Sequence, residues 1–242
     1  MKETIEIAWE DTKREATVPF EAVPRWKRIL DISFVLLTLP FWGPLFLMIA
    51  AFIKICSHGP VLFRQERVGY RGTRFICLKF RSMKVGADTG VHKNYLKGLM
   101  QSDTPMTKMD ASGDSRMIPF GSILRATGLD ELPQFINVFR GDMSLVGPRP
   151  SIPYEYEEFL PWQKKRCHTL PGLTGLWQVS GKNKTTFNEM MNFDIAYVDH
   201  KCLWLDINII LSTVPALVTQ VVETRKARRS RSIQSDCRSQ TV

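Results

Sequence analysis

The chain has few of the residues that mark common catalytic and structural frameworks. Its five cysteines stand at positions 56, 77, 167, 202 and 237, with no CxxC pair. An odd, scattered set argues against a disulfide framework or a cysteine zinc site and fits reduced thiols, several buried as small apolar residues. The four histidines, His58, His92, His168 and His200, lie far apart and make no HExxH spacing, which argues against a histidine metal centre. No GxxxxGK[ST] loop, GxGxxG turn or GxSxG elbow occurs, so the common NTPase, dinucleotide and serine-hydrolase sites are disfavoured. Acid is scarce relative to base: 33 Lys and Arg face 24 Asp and Glu, a formal charge of +9. That excess implies a polyanionic partner, either nucleic acid, an anionic membrane or a phosphorylated substrate. No recognisable nucleic-acid module accompanies the charge, and a long apolar run argues against one.

The 242 residues suffice for one sizeable core with appendages. Residues 1–24 are mixed polar with acids, and no apolar core follows Met1 directly. They read as a weakly ordered polar arm rather than a signal peptide. Arg25, Lys27 and Arg28 then introduce Ile32 to Ile53, 22 residues without a charge. As a helix this run is ~33 Å long, close to a hydrocarbon core of ~30 Å. Pro40, Gly43 and Pro44 interrupt it at mid-length, where each proline removes an intrahelical bond. Lys54, Arg64 and Arg67 follow it, so basic residues flank both sides and favour keeping both ends cytoplasmic. A kinked span and a re-entrant helix that leaves by the face it entered both fit these residues. Ser33 and Thr38 are candidates to satisfy backbone groups freed at the break.

Residues 61–84 read as a β-hairpin, with Val61-Leu62-Phe63 and Phe75-Ile76-Cys77-Leu78 flanking a turn at Gly69-Tyr70-Arg71-Gly72. Seven basic residues in that stretch face one acid, Glu66. Beside an apolar segment such density suits phosphate or lipid head-group contact. Residues 86–115 read as a polar surface excursion with some helix around Tyr95–Met100. Leu129, Leu132, Ile136 and Phe139 recur at helical spacing and predict a helix over 129–140 with those four toward the core. Further helices are expected over 155–168 and 187–199. A glycine-punctuated segment runs from Pro171 to Lys182. Leu203–Val222 is a second apolar stretch, broken by Asp206, Asn208 and Pro215, which favours a helix lying in the membrane interface. Residues 223–242 are basic and serine-rich and read as a disordered tail drawn to anionic lipid.

The densest chemistry lies in Leu129-Asp-Glu-Leu-Pro-Gln, followed by Gly147-Pro148-Arg149-Pro150. Acids in a first helical turn commonly cap free N–H groups, and Thr127-x-x-Asp130 fits a loose capping box. The same position keeps a carboxylate ionised. An ionised Asp among arginines can attack phosphorus, or hold a Mg²⁺ that neutralises a pyrophosphate. Arg149, set between two prolines, is either an exposed turn charge or a guanidinium pre-set for bidentate phosphate contact. Arg125 lies five residues before Asp130, and Lys79 ends the second candidate strand.

Five ordered motifs carry a resemblance to a known family. They are Lys27-Arg-Ile-Leu-Asp31, Lys79-Phe-Arg-Ser-Met83, Leu129-Asp-Glu-Leu-Pro-Gln134, Gly141-Asp-Met-Ser-Leu-Val-Gly-Pro-Arg-Pro150 and Pro171-Gly-Leu-Thr-Gly-Leu-Trp-Gln-Val-Ser-Gly181. From about Lys27 to Leu217 the chain resembles the bacterial sugar transferases, the monotopic polyprenyl-phosphate phosphoglycosyl transferases. The resemblance implies an α+β, mainly helical fold. A re-entrant membrane helix (25–57), turning near Pro40, would precede a catalytic domain (58–222) with interfacial helices and a small β-hairpin around a membrane-surface site. It implies transfer of a phosphosugar from a nucleotide-sugar donor, read here as a UDP-sugar, to polyprenyl (undecaprenyl) phosphate on the cytoplasmic face of the bacterial inner membrane, starting a surface glycan. In that reading Asp130 is the nucleophile, Glu131 assists with Mg²⁺, and Lys79, Arg125 and Arg149 bind phosphate. Lys182 stands where the family usually has Arg, which puts a bidentate role there in doubt. The short polar arm implies a small-core form, without the four extra N-terminal helices of large members. Membrane lipid is the expected partner, and nucleic acid is not. The alternative is a non-enzymatic, membrane-bound scaffold that regulates polysaccharide assembly.

Overall fold

A computed structural model describes residues 22–84, 98, 105, 116–181 and 185–239. Most of the expected polar arm, all but Gly98 of the expected helix around Tyr95–Met100, and Lys182 lie outside the described residues. The described chain is mainly helical with two small sheets, an α+β arrangement. Helix α1 (Arg25–Cys56) leads into a hairpin of β1 (Leu62–Val68) and β2 (Arg74–Phe80). Then come α2 (Gly121–Thr127), a 3-10 turn (Leu129–Glu131), α3 (Gln134–Arg140), β3 (Ser144–Val146) and α4 (Pro153–Glu157). A 3-10 helix (Pro161–His168), β4 (Gly172–Thr174), α5 (Leu176–Val179), α6 (Phe187–His200) and α7 (Leu203–Ser239) complete it.

Helix α1 is long and apolar enough to cross a membrane, by length and composition. It continues through Pro40 and Pro44. Pro40 has no N–H to offer the carbonyl four residues back. Two side chains bond the turn below it: Thr38 Oγ1 donates to Phe34 O at 2.6 Å, and Trp42 Nε1 donates to Val35 O at 3.0 Å. Thr38 was a sequence candidate; Trp42 was not. Phe34 and Trp42, on either side of Pro40, both pack on the ring of Phe135.

Both ends of α1 bond the same body. Near its start Lys27 Nζ reaches Asp206 Oδ2 at 2.6 Å and Arg28 Nη1 donates to Val138 O at 2.8 Å. Asp31 Oδ1 accepts from Ser144 Oγ and from the Leu145 N–H. Just past its end Arg81 donates to the carbonyls of Ser57 and His58. The outward side chains Leu37, Phe41 and Ile55 stay exposed. Exposed Ile123 on α2, Phe139 on α3 and Trp204, Leu211, Val214 and Val218 on α7 add further apolar surface.

The hairpin forms around the expected turn, antiparallel with Leu62 opposite Phe80 and Val68 opposite Arg74. Directly opposed residues share a face, so Gln65, Arg67, Cys77 and Lys79 lie together on one side. A second pair absent from the sequence reading, β3 with β4, is parallel, Ser144 beside Gly172 and Val146 beside Thr174.

Three expectations change. The single helix over 129–140 is two pieces, because Pro133 cannot donate inside a helix; a 3-10 turn closes first and α3 begins at Gln134. The expected inward face holds at its start, where Leu129 and Leu132 pack against the core, and is turned at its end. Gln134, Asn137 and Val138 are buried, while Phe139 is exposed. The cause is polar: Asn137 docks on the edge of β2, accepting from Leu78 N–H at 3.0 Å and donating to Ile76 O at 2.7 Å. The tail expected to be disordered from 223 instead continues α7 to Ser239. No Gly or Pro follows Pro215 in that helix to end it, and Glu, Lys, Arg and Ala favour propagation.

The core falls into clusters that join these pieces. Val35, Cys77, Val138, Leu145, Tyr197 and Ile209 pack together, tying α1, the hairpin, α3, β3, α6 and α7. Ile49 and Ile53 of α1 pack with Phe80, Ile118 and Leu124.

Candidate active site

The acidic pair sits between the hairpin and the end of α2. Gly128, at φ 74°, ends α2 in a left-handed conformation open to glycine at little cost, and the chain reverses into the Leu129–Glu131 turn. The expected capping box is not made: Thr127 Oγ1 donates back to Ile123 O and Leu124 O, and Gly128 is the N-cap. Asp130 is buried at 8 % exposure. Glu131 Oε1 meets Lys79 Nζ at 2.5 Å, with the two side chains 34 % and 23 % exposed. The structure therefore brings Lys79 and the acidic pair together, and it is the lysine, more than a helix terminus, that faces Glu131. Arg125 lies on the last turn of α2, where its Nη1 contacts Met83 Sδ at 3.7 Å.

Arg149 belongs to a turn held by backbone packing. The Gly147 N–H donates to Thr174 O, and the Gly172 N–H to Pro148 O. A Cβ on Gly147 would meet Leu170 O at 2.2 Å, and one on Gly172 would meet Gly147 N at 2.1 Å. Two glycines thus let the Gly-Pro-Arg-Pro turn and the Pro171-Gly-Leu-Thr-Gly175 segment touch backbone to backbone. The Arg149 guanidinium stands 3.7 Å from Glu155 Oε1 on α4.

Sequence reading missed the groups around Arg149. Arg67 on β1 is buried, and its guanidinium is pulled down to about 10, first by burial and then by the charge of Arg149, against Glu155 and Glu131. The Cys77 thiol is pushed up by burial, while Lys79, Arg67 and Arg149 favour its thiolate and Glu131 opposes it. Arg67, Lys79, Glu131 and Arg149 thus act on one thiol between them. Behind Arg149, Arg166 and Asp194 form a buried pair. Burial pushes the Asp194 carboxyl up to about 6, against the charges of Arg166 and Arg149. The only signal in the sequence was polarity inside amphipathic segments, which surface residues share.

Among the described residues no group of three or more His, Cys, Asp or Glu is placed to hold a metal ion. Asp130 and Glu131, neighbours in sequence, carry the hard carboxylate oxygens that Mg²⁺ prefers, with phosphate and water needed to complete its shell.

The profile of the bacterial sugar transferases matches residues 22–220. The chain belongs to that family. Among similar sugar transferases, the galactosyl transferase CpsE of Streptococcus agalactiae is 41% identical over 198 residues, which make up 79% of this chain and 42% of that protein. The exopolysaccharide production protein ExoY of Sinorhizobium fredii is 36% identical over 191 residues, covering 79% of this chain and 84% of ExoY. A UDP-glucose:undecaprenyl-phosphate glucose-1-phosphate transferase of Caulobacter vibrioides is 40% identical over 210 residues, covering 84% and 73%. All five resembling motifs lie within the matched segment. The sequence resemblance is thereby borne out at the level of family.

Proposed function

We propose that this sugar transferase moves a phosphosugar from a nucleoside diphosphate sugar, UDP-linked in this reading, to polyprenyl phosphate at a membrane surface. The observation that carries the reading is the lysine-bound acidic pair, with Arg67 and Arg149 close by in electrostatic terms, on a body attached to a long apolar helix. The Caulobacter relative, named for this reaction with glucose, supports the substrate class.

In the proposed chemistry a carboxylate oxygen of Asp130 attacks the sugar-bearing phosphorus. The pyrophosphate P–O bond breaks, and the nucleoside monophosphate leaves with the electron pair. The acceptor phosphate oxygen then attacks the same phosphorus and frees Asp130. Each anion meets the carboxylate in turn, so the two polyanions never need to share the site. Arg149 binds the donor phosphates as a planar fork, and Arg125 adds positive charge from α2. Lys79 neutralises Glu131 until substrate enters. Asp130 and Glu131 would hold Mg²⁺, which supplies charge neutralisation at the pyrophosphate. With so few protein ligands, the cation is expected to bind together with donor.

We further read α1 as re-entrant, with both ends on the cytoplasmic face and α7 lying in the interface. A straight helix of 32 residues would separate its ends by about 48 Å. Contacts from Lys27, Arg28 and Asp31 at one end and Ser57 and His58 at the other, all to one body, support the returning path. The exposed apolar side chains of α1, α2 and α7 support burial in lipid.

The test is a panel of UDP-sugars offered with undecaprenyl phosphate, reading UMP release and intact protein mass. A productive donor without acceptor should add one phosphosugar, mapped to Asp130. An adduct on another residue, or full turnover by Asp130→Asn, defeats the assignment; no turnover with any donor favours the scaffold reading. For topology, reporter cysteines near residues 10 and 90 in a cysteine-free background should both stay unlabelled by an impermeant reagent in spheroplasts. Labelling of the first alone means a spanning helix.

A further inference from the structure

Two buried arginines, from different elements, converge on the main chain of the Arg149 turn. Arg67 on β1 donates from Nη1 to Pro150 O at 2.9 Å. Its Nε and Nη2 both donate to Gln65 Oε1, at 3.1 and 2.7 Å. Arg166, on the 3-10 helix Pro161–His168, donates from Nη2 to Arg149 O at 2.8 Å and to Asp194 Oδ2 at 2.5 Å. Consecutive carbonyls, those of Arg149 and Pro150, therefore each hold a guanidinium from a different element. The next residue continues the grip, since Ser151 O accepts from the Val68 N–H at 2.8 Å. Glu155 supports the far side: Oε2 accepts from the Ile152 N–H at 2.8 Å, while Oε1 faces Arg149.

The arrangement is costly if stability is its only purpose. A buried charge is expensive to desolvate, and among the described residues every hydrogen-bond partner of Arg67 is neutral. Arg67 and Arg149 also oppose each other, which is part of why the Arg67 guanidinium falls to about 10. An anion arriving at Arg149 relieves that opposition. A neutral core would hold the turn without preparing such a field.

We propose that Arg67 and the Arg166–Asp194 pair are positioning residues that hold the Arg149 turn in register for the donor pyrophosphate. The proposal rests on the reading above that Arg149 contacts donor phosphate. Arg67 and Arg166 act through the two carbonyls, and Asp194 and Gln65 fix the guanidiniums that reach them.

The test is a double-mutant cycle on the full-length, detergent-solubilised enzyme, with donor KM, kcat, acceptor KM and thermal midpoint read for each variant. Arg166→Lys and Arg67→Lys keep charge and lose the fork. Asp194→Asn and Gln65→Leu are milder and carry the test if the lysine variants do not fold. Each variant is expected to lower donor kcat/KM by about tenfold with acceptor KM unchanged. In an Arg149→Lys background the same changes should cost less than about twofold, because the group they position is already gone. Equal losses in both backgrounds, or unchanged donor kinetics in the wild-type background, overturn the proposal. A kinetically silent Arg149→Lys overturns the parent reading of Arg149 instead, and the positioning role falls with it.

Discussion

Two ion-pair clusters in this molecule use similar residues at different depths. In one, Lys27 Nζ bonds Asp206 Oδ2 at 2.6 Å and Tyr197 Oη at 2.7 Å, and Tyr197 bonds Asp206 Oδ1 at 2.7 Å. Lys27 is 0 % exposed and Asp206 1 %. In the other, Lys79 meets Glu131 at 2.5 Å with both side chains a quarter to a third exposed. The first cluster turns its charges on one another and ties the start of α1 to α6 and α7. The second pairs one carboxylate at the surface beside a buried Asp130. Depth separates a fastener from a site: a closed pair has no face for a ligand, and an open one can exchange its partner for substrate.

The comparison breaks most sharply at the two acids. Asp130→Asn should lower turnover by about 10⁴-fold or more and abolish the phosphosugar adduct while leaving the thermal midpoint near wild type. A fall in midpoint as large as the fall in rate would make Asp130 a fastener as well.

Lys27→Met should do the reverse. It leaves Asp206 buried beside Tyr197 without its cation and should cost about 3–5 kcal/mol, or about 6–20 °C in midpoint at this chain length. The folded fraction should keep its rate per molecule. Thermal unfolding and activity corrected for folded protein, measured together, check this.

Chelation sharpens the same contrast. Removing divalent cations should silence the open cluster and leave the midpoint of ligand-free protein within about a degree or two, because two carboxylates alone hold Mg²⁺ weakly. A large midpoint loss on chelation would mean a resident structural metal.

The smallest effect concerns a third pair. With its pKa raised to about 6 in the folded protein, Asp194 binds a proton more readily folded than unfolded. Its contribution is therefore full below the unfolded value and lost as pH rises through about 6. The wild type should gain a few degrees relative to Asp194→Asn as pH falls from 7 to 4. A constant difference across that window would place the carboxyl at its ordinary value.

Much of this was legible before any fold was known, where the signal is local. The hairpin announced itself by short apolar runs on either side of Gly69–Gly72, and α1 by an uncharged run longer than soluble helices keep. The Leu129–Gln134 and Gly147–Pro150 motifs pointed to the site because chemistry there needs several special residues within a few positions. The register of α3 was not legible. Its apolar spacing pointed Phe139 inward, but the Asn137 amide docks on the edge of β2 and Phe139 is left exposed.

What the sequence by itself determined is therefore the family, the elements with strong periodicity, the apolar helix and the short motifs that carry reactive groups. Periodicity and turn chemistry act over a few residues and leave their mark in order along the chain. Only the tertiary structure decided that Lys79 faces Glu131 across 52 positions, that Lys27 locks to Asp206 across 179, and that Arg67 and Arg166 meet at one turn. These pairings join charged residues whose types recur throughout a basic chain. Nothing local distinguishes a solvated arginine from a buried one; the difference is made when packing removes water and leaves a few fixed oxygens in reach.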